Sequence, residues 1–200
     1  MERIGIYGGT FNPIHVFHLI MAQHFVAQAN LDFCYFVPAY ISPFKVEDKK
    51  ALDDVAHRIN MVRLAIASND KFRLCTYESD KGGVSYTYDT LRHMKENHPA
   101  GEYCILIGSD QAADFKKWNN WQNILDEATV YIAGRPDASK KNWEYLAGIP
   151  DFKQKTRMLE APVSDLSSTY IRDLVKAGSP IKYLVPESVE NYISGNKLYM

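Results

Sequence analysis

A chain of 200 residues with 46% hydrophobic content has the length and apolar share for one packed core, with room for a small appendage. Its 23 Lys and Arg nearly balance 24 Asp and Glu, and no basic block stands out, which argues against a nucleic-acid partner. No apolar run approaches the roughly 18 residues that a membrane span needs, and the chain opens on strand-like residues, so no span, signal peptide or lipid anchor is expected. Cys34, Cys75 and Cys104 are far apart in apolar, strand-like runs. They read as buried thiols in a reducing compartment, not as a disulfide framework or zinc site, and the expected location is cytoplasmic.

Strand and helix patterns alternate along the chain. The first strand is expected at about Arg3 to Tyr7 and the first helix at about His15 to Ala29. Phe33 to Pro38 is a short continuous apolar run closed by proline, as in a buried strand. Residues 39 to 51 form a polar loop with Pro43 and a charged cluster. Asp53 can cap a helix of about Asp54 to Ser68, with Ile59, Val62, Leu64 and Ile66 on its apolar face. Arg73 to Tyr77 reads as a third strand, Tyr86 to Asn97 as a helix and Tyr103 to Gly108 as a fourth strand. A helical stretch at Trp118 to Leu125 leads to a fifth strand at Thr129 to Ala133. Asp137 to Phe152 reads as a surface excursion, and Thr156 to Glu160 as a short added strand. Helices at about Ser168 to Ala177 and Pro186 to Ser194 close the chain. This order implies parallel βαβ units and an open α/β sheet.

The segment Gly8-Gly9-Thr10-Phe11-Asn12-Pro13-Ile14-His15-Val16-Phe17-His18 joins the first strand to the first helix. Glycine lets the backbone approach a ligand where a Cβ would clash. A helix start offers unpaired N–H groups and partial positive charge, which suits a phosphate. His15 and His18, three residues apart, lie on one helix face and can point at one anion. Read locally, the same segment is also a glycine turn with two capping histidines.

Three further segments fall at strand ends or helix starts, where open α/β sheets collect ligands. Gly108-Ser109-Asp110 follows the fourth strand; its carboxylate can accept hydrogen bonds from ribose hydroxyls, or it is a turn with a helix cap. Ser167, Ser168 and Thr169 open a helix that carries Arg172 about one turn in. They read as an N-cap, or as a polyphosphate clamp whose Arg172 supplies a forked charge. Lys45 sits on the loop after the second strand and is free to neutralise phosphate or merely to be solvated.

These segments carry a resemblance. The opening loop is similar to the nucleotide-binding signature of nucleotidyltransferases related to class I tRNA synthetases. Asn12 stands where that signature usually has aspartate, and Phe17 where it mostly has glycine. Ser167 to Arg172 resembles the family's Ser-Ser/Thr-x-x-Arg clamp, and Phe44-Lys45 a Pro-His-Lys element without its histidine. Four segments narrow the match, in order: Arg58 to Val62, Ser85 to Leu91, Leu106 to Asp110, and Trp118 to Leu125 followed by Gly134-Arg135-Pro136. Together they resemble the bacterial nicotinate mononucleotide adenylyltransferases over about Arg3 to Tyr199.

The resemblance implies a single nucleotidyltransferase domain over 1–200, with a Rossmann-like open parallel sheet and a C-terminal helical part from about 165. It implies adenylyl transfer from ATP to nicotinate mononucleotide in NAD biosynthesis. His15, His18, Lys45 and Arg172 are then catalytic. Gly8, Gly9, Thr10, Phe11, Gly108, Asp110, Ser167, Ser168 and Thr169 bind ATP. Ser85, Tyr86, Thr87, Trp118 and Arg135 bind the mononucleotide, with Trp118 as an aromatic platform and the helix start at Tyr86 and Thr87 facing the carboxylate. No acidic side chain occurs within Ser85 to Tyr88, and Asp89 is expected to face away. Mg²⁺ enters with ATP, and no protein metal ligand is expected. The oligomeric state is left open, a homo-oligomer included. Three alternatives stand beside this reading: a phosphopantetheine adenylyltransferase type, a catalytically silent nucleotide-binding regulator, and a tRNA-binding synthetase fragment.

Overall fold

The strand β1 (Arg3–Gly9) is an inner strand of a parallel sheet. The computed structural model describes residues 1–43, 55–134 and 152–200. Within these, β2 (Phe33–Pro38), β3 (Phe72–Leu74), β4 (Glu102–Gly108), β5 (Ala128–Ala133) and β6 (Thr156–Leu159) complete a sheet ordered β3-β2-β1-β4-β5-β6. Every neighbouring pair is parallel. The chain order reverses between β1 and β4, so a crevice opens at their carboxyl ends. The expected Rossmann-like α/β architecture is therefore present.

Side chains alternate across the sheet, and both faces are covered. Ile4, Ile6, Ile105 and Ile107 pack against Leu91 and Met94 of one helix and Ile124 and Leu125 of another. These helices are α4 (Thr87–Asn97) and the helix Trp121–Glu127. On the opposite face, Cys34, Cys104, Leu106 and Tyr131 meet Met21, Phe25 and Val26 of α1 (Val16–Gln28). Phe36 meets Met61 and Val62 of α2 (Val55–Ile66), together with Ile171 and Val189 from the two C-terminal helices, Ser168–Lys176 and Glu187–Gly195. Each large apolar side chain so buried contributes about 1.5–3 kcal/mol. A Cβ on Gly5 would lie 2.5 Å from Leu31 and 2.9 Å from Phe25, so glycine lets α1 and the turn after it settle onto β1.

Three elements depart from expectation. The third strand ends at Leu74, because the chain turns after Cys75 donates its N–H to the Phe36 carbonyl at 2.9 Å. Tyr77 then opens a short helix, α3 (Tyr77–Lys81), and its ring stacks on His93 of α4 at 4.0 Å. The expected helix from Trp118 is broken: a 3₁₀ turn spans Phe115–Lys117, Trp118 is extended, and Asn120 is left-handed at φ 53°. Asparagine tolerates that conformation, and regular helix resumes only at Trp121. A short helix, Ser109–Ala113, follows β4 directly, with Gly108 as its cap residue.

Lys45, Phe44, the Asp53 cap, Arg135 and most of the 137–152 excursion lie outside the described residues. No helix among the described residues is long and apolar enough to cross a membrane. All three cysteines are free, and burial pushes their thiols up, so they stay neutral.

Candidate active site

Two cavities meet at the carboxyl ends of β1 and β4. The larger, about 870 Å³, lies over the loop after β1 and is lined by Thr10, Phe11, His15, His18, Gly108, Asp110, Ser167, Ser168, Thr169 and Arg172. The smaller, about 340 Å³, is lined by Gly8, Gly9, Thr10, Glu78, Ser85, Tyr86, Thr87 and Trp118. Both sizes fall within the usual range for small-molecule sites. The fold thus gathers the candidate residues that are described into two adjoining groups, with Gly8 and Gly9 on the side of the smaller cavity.

The loop geometry follows from its residues. Gly9 leaves room for the Phe11 ring, which would stand 2.9 Å from a Cβ there. Phe11 has φ 49° and is 2% exposed, so its ring plugs the base of the loop. Its edge meets Tyr7 and His18 at centroid distances of 5.5 and 5.1 Å. His15 is the N-cap residue of α1, and its N–H donates to His18 Nδ1 at 3.2 Å. The two imidazoles stack with centroids 3.6 Å apart.

Burial lowers the His15 pKa to about 4. Burial and then the neighbouring His15 hold His18 well below its ordinary value. Both rings are therefore neutral near pH 7. Because His18 Nδ1 accepts a hydrogen bond, the neutral ring carries its proton on Nε2. His15 Nδ1 is buried with no partner among the described residues.

The helix start at Ser167 to Arg172 is tied to the loop. Ser167 caps its helix, its hydroxyl accepting from the Tyr170 N–H at 3.2 Å. Ser168 Oγ donates to the Pro13 carbonyl at 2.8 Å. Arg172 Nη1 donates to the Asn12 carbonyl at 2.8 Å, and Nη2 to Thr169 Oγ1 at 3.2 Å. The cap reading holds for Ser167, while Ser168 and Thr169 bond to Pro13 and Arg172. Asp110 sits in the first turn of its helix, where its carboxyl folds back over Gly108.

In the smaller cavity Tyr86 caps α4, and the N–H groups of Thr87 and Tyr88 precede its first bonded turn. Trp118 packs against Phe115 at 5.2 Å, and its buried indole N–H has no partner among the described residues. Asp89 faces away as expected, in an ion pair with Lys81.

Two contributors were missed. Glu78 of α3 is 8% exposed and lines the same cavity as Ser85, Thr87 and Trp118, so an acidic side chain does stand there. It accepts from Thr90 Oγ1 at 2.6 Å and from Ser85, and burial raises its pKa. In the sequence it belongs to a polar run, Glu78-Ser79-Asp80-Lys81, that reads as solvated. Arg58 is 1% exposed and bridges the two groups. Nη1 donates to the Thr10 carbonyl at 2.8 Å and Nη2 to the Tyr40 carbonyl at 3.4 Å, while the Tyr40 N–H donates to Ser85 Oγ at 2.9 Å. Its position among apolar residues of α2 was the available signal.

Among known proteins, residues 6–174 match the family model for cytidylyltransferase-like proteins. The chain is 36% identical over 199 residues to a Bacillus pumilus protein, covering 100% of this chain and 99% of that one. It is 35% identical over 196 residues to a Salinibacter ruber protein, covering 98% and 97%. Both relatives are named as probable nicotinate-nucleotide adenylyltransferases. In structure, it superposes on Plasmodium falciparum nicotinic acid mononucleotide adenylyltransferase complexed with NaAD at a TM-score of 0.79 and 24% identity, covering 100% of this chain and 98% of that one. The chain belongs to the nicotinate-nucleotide adenylyltransferases of the cytidylyltransferase-like family.

Proposed function

We propose that this enzyme transfers the adenylyl group of ATP to nicotinate mononucleotide, with ATP phosphates in the larger cavity and the pyridine ring in the smaller. The supporting observation is the placement of the stacked His15 and His18 against a cavity that shares its Thr10 wall with the one holding Trp118 and the α4 start. A mononucleotide phosphate oxygen bonds to the α-phosphorus of ATP. The bond from that phosphorus to the bridging oxygen breaks, and pyrophosphate leaves with the electron pair. The attacking group belongs to the substrate, so the protein needs no covalent nucleophile. Positioning and charge stabilisation carry the rate.

His18 Nε2–H is the donor we assign to the transferring phosphoryl group, with His15 beside it. Arg172 and Lys45 hold outer phosphates, Arg135 the mononucleotide phosphate, and Gly108 and Asp110 the nucleoside side. Trp118 stacks on the pyridine ring, and the N–H groups at Thr87 take its carboxylate. Among the described residues no group of three His, Cys, Asp or Glu side chains forms a metal cage. A magnesium ion carried on ATP oxygens and water would neutralise phosphate charge. We also read the chain as one nucleotidyltransferase domain acting in the cytoplasm.

An assay with ATP, magnesium and each mononucleotide in parallel, following pyrophosphate and dinucleotide, tests the reading. Stoichiometric formation of both products with nicotinate mononucleotide is expected. Nucleotide binding without pyrophosphate release would sink the reading.

A further inference from the structure

Glu78 is the only acidic side chain among the described residues that line the smaller cavity. Its carboxyl is held from two sides, by Thr90 Oγ1 at 2.6 Å and by the Ser85 hydroxyl. Thr90 lies three residues along α4 from Thr87. Glu78, Thr87 and Thr90 all line this cavity, so the Glu78 carboxyl shares it with the α4 start. If the Thr87 N–H receives a pyridine carboxylate, two carboxyl groups share one small cavity. Like charges so placed repel, and the proton affinity of one rises.

The surroundings leave Glu78 as the group that yields. On its own helix, Lys81 draws its proton affinity down, and from α4 Asp89 pushes it up, but these two are paired with each other. Asp80 is occupied by the Thr76 hydroxyl at 2.7 Å. Cys75, at the end of β3, stays a neutral thiol. Lys117, also lining the cavity, pairs with Asp114 at 2.7 Å. Burial already favours the protonated form of Glu78. The network also accommodates a proton: a hydroxyl turns from donor to acceptor, and Thr90 Oγ1 has a second acceptor, the Tyr86 carbonyl at 3.5 Å.

We propose that Glu78 is a specificity-determining residue that takes up one proton from solvent when a pyridine carboxylate enters this cavity, and none when a carboxamide enters. The proposal rests on the reading of this cavity as the mononucleotide pocket. Its consequence is that the preference for the acid over the amide weakens as pH rises, because ionised Glu78 must first be protonated.

Titration calorimetry of the full chain at pH 7, in PIPES and in Tris, reads the linked protons directly. Nicotinate mononucleotide should take up about 0.3–1 proton more than nicotinamide mononucleotide; the 5′-phosphate they share cancels in the difference. Between pH 6 and 8.5 the ratio of the amide Kd to the acid Kd should fall at least about fivefold, against a ceiling of tenfold per unit for one linked proton. Glu78→Gln keeps the shape without the titration, and its ratio should be flat. Equal proton uptake with both ligands overturns the proposal while leaving the pocket reading intact. So does a ratio with the same pH slope in wild type and Glu78→Gln. Failure of either mononucleotide to bind, or binding that Trp118→Ala does not weaken, overturns the pocket reading and the proposal with it. The calorimetric arm needs no variant, so a poorly folding Glu78→Gln does not blunt the test.

Discussion

Tyr199, the penultimate residue, donates its phenolic hydrogen to the side-chain oxygen of Asn12, 187 positions away. Asn12 is thereby held twice, since its backbone carbonyl accepts from Arg172. Tyr199→Phe removes only the hydroxyl. A hydrogen bond contributes about 0.5–1.5 kcal/mol net, so we expect the KM for ATP to rise about two- to tenfold, with little change for the mononucleotide. Asn12→Asp keeps the acceptor and should stay near wild type, while Asn12→Ala should match Tyr199→Phe. In steady-state kinetics the double variant should be no worse than either single one. Additive losses would deny the coupling.

His18→Ala should lower kcat on the order of 100-fold or more, because it removes a donor whose contact strengthens as charge develops. ATP affinity, measured by equilibrium binding, should change far less. Near-normal turnover would take His18 out of the chemistry.

Arg172→Lys keeps one charge but loses the fork that reaches Asn12 and Thr169 together. The KM for ATP should rise and that for the mononucleotide should hardly move. Equal changes for both would point to a general folding defect.

Acid should unfold this chain in part through its histidine pair. His15, with an ordinary pKa of 6.5, is lowered to about 4 when folded, and His18 is lowered too. The unfolded chain therefore binds protons that the native state refuses. Their contribution is complete above about pH 6.5 and is lost as pH falls toward 4, at up to roughly 1.4 kcal/mol per unit for each ring. Glu78, raised by burial, acts in the opposite sense above the ordinary carboxylate value. Thermal melts at pH 7.5, 6.5 and 5.5 should show a falling Tm, and a His15→Gln/His18→Gln double variant should show a shallower fall. Parallel slopes would mean that other groups carry the acid sensitivity.

Helix-start N–H groups at Thr87 favour an anion, so at pH 7 we expect kcat/KM for nicotinate mononucleotide to exceed that for the amide by at least about tenfold, or roughly 1.4 kcal/mol. Parity would remove the anion pocket. Trp118→Ala should weaken both alike, because stacking reads the ring and not its substituent.

What was legible from sequence were features written in contiguous residues. Phe33 to Pro38 is apolar throughout because β2 is covered on both faces, and its bounds agree residue for residue with the strand. The glycines, histidines and Ser167 to Arg172 announce a strand-to-helix turn and a helix start, and the fold brings the histidines and Ser167 to Arg172 to the larger cavity and Gly8 and Gly9 to the adjoining smaller one. Most of what escaped depends on partners far along the chain. Glu78 looks solvated until Thr90 and Ser85 close over it. The helix break beside Trp118 escaped for a local reason: a left-handed Asn120 delays regular helix to Trp121 within a run that is helical in pattern. Tyr199 gives no local sign of reaching Asn12.

Thr10, Leu106 and Ile107 line both cavities, so the two adjoin along these three residues. A molecule long enough to reach from one into the other excludes a tenant from each. On the proposed placement, a joined dinucleotide must vacate both chambers before either can be refilled, and if it accumulates it competes with both starting nucleotides at once.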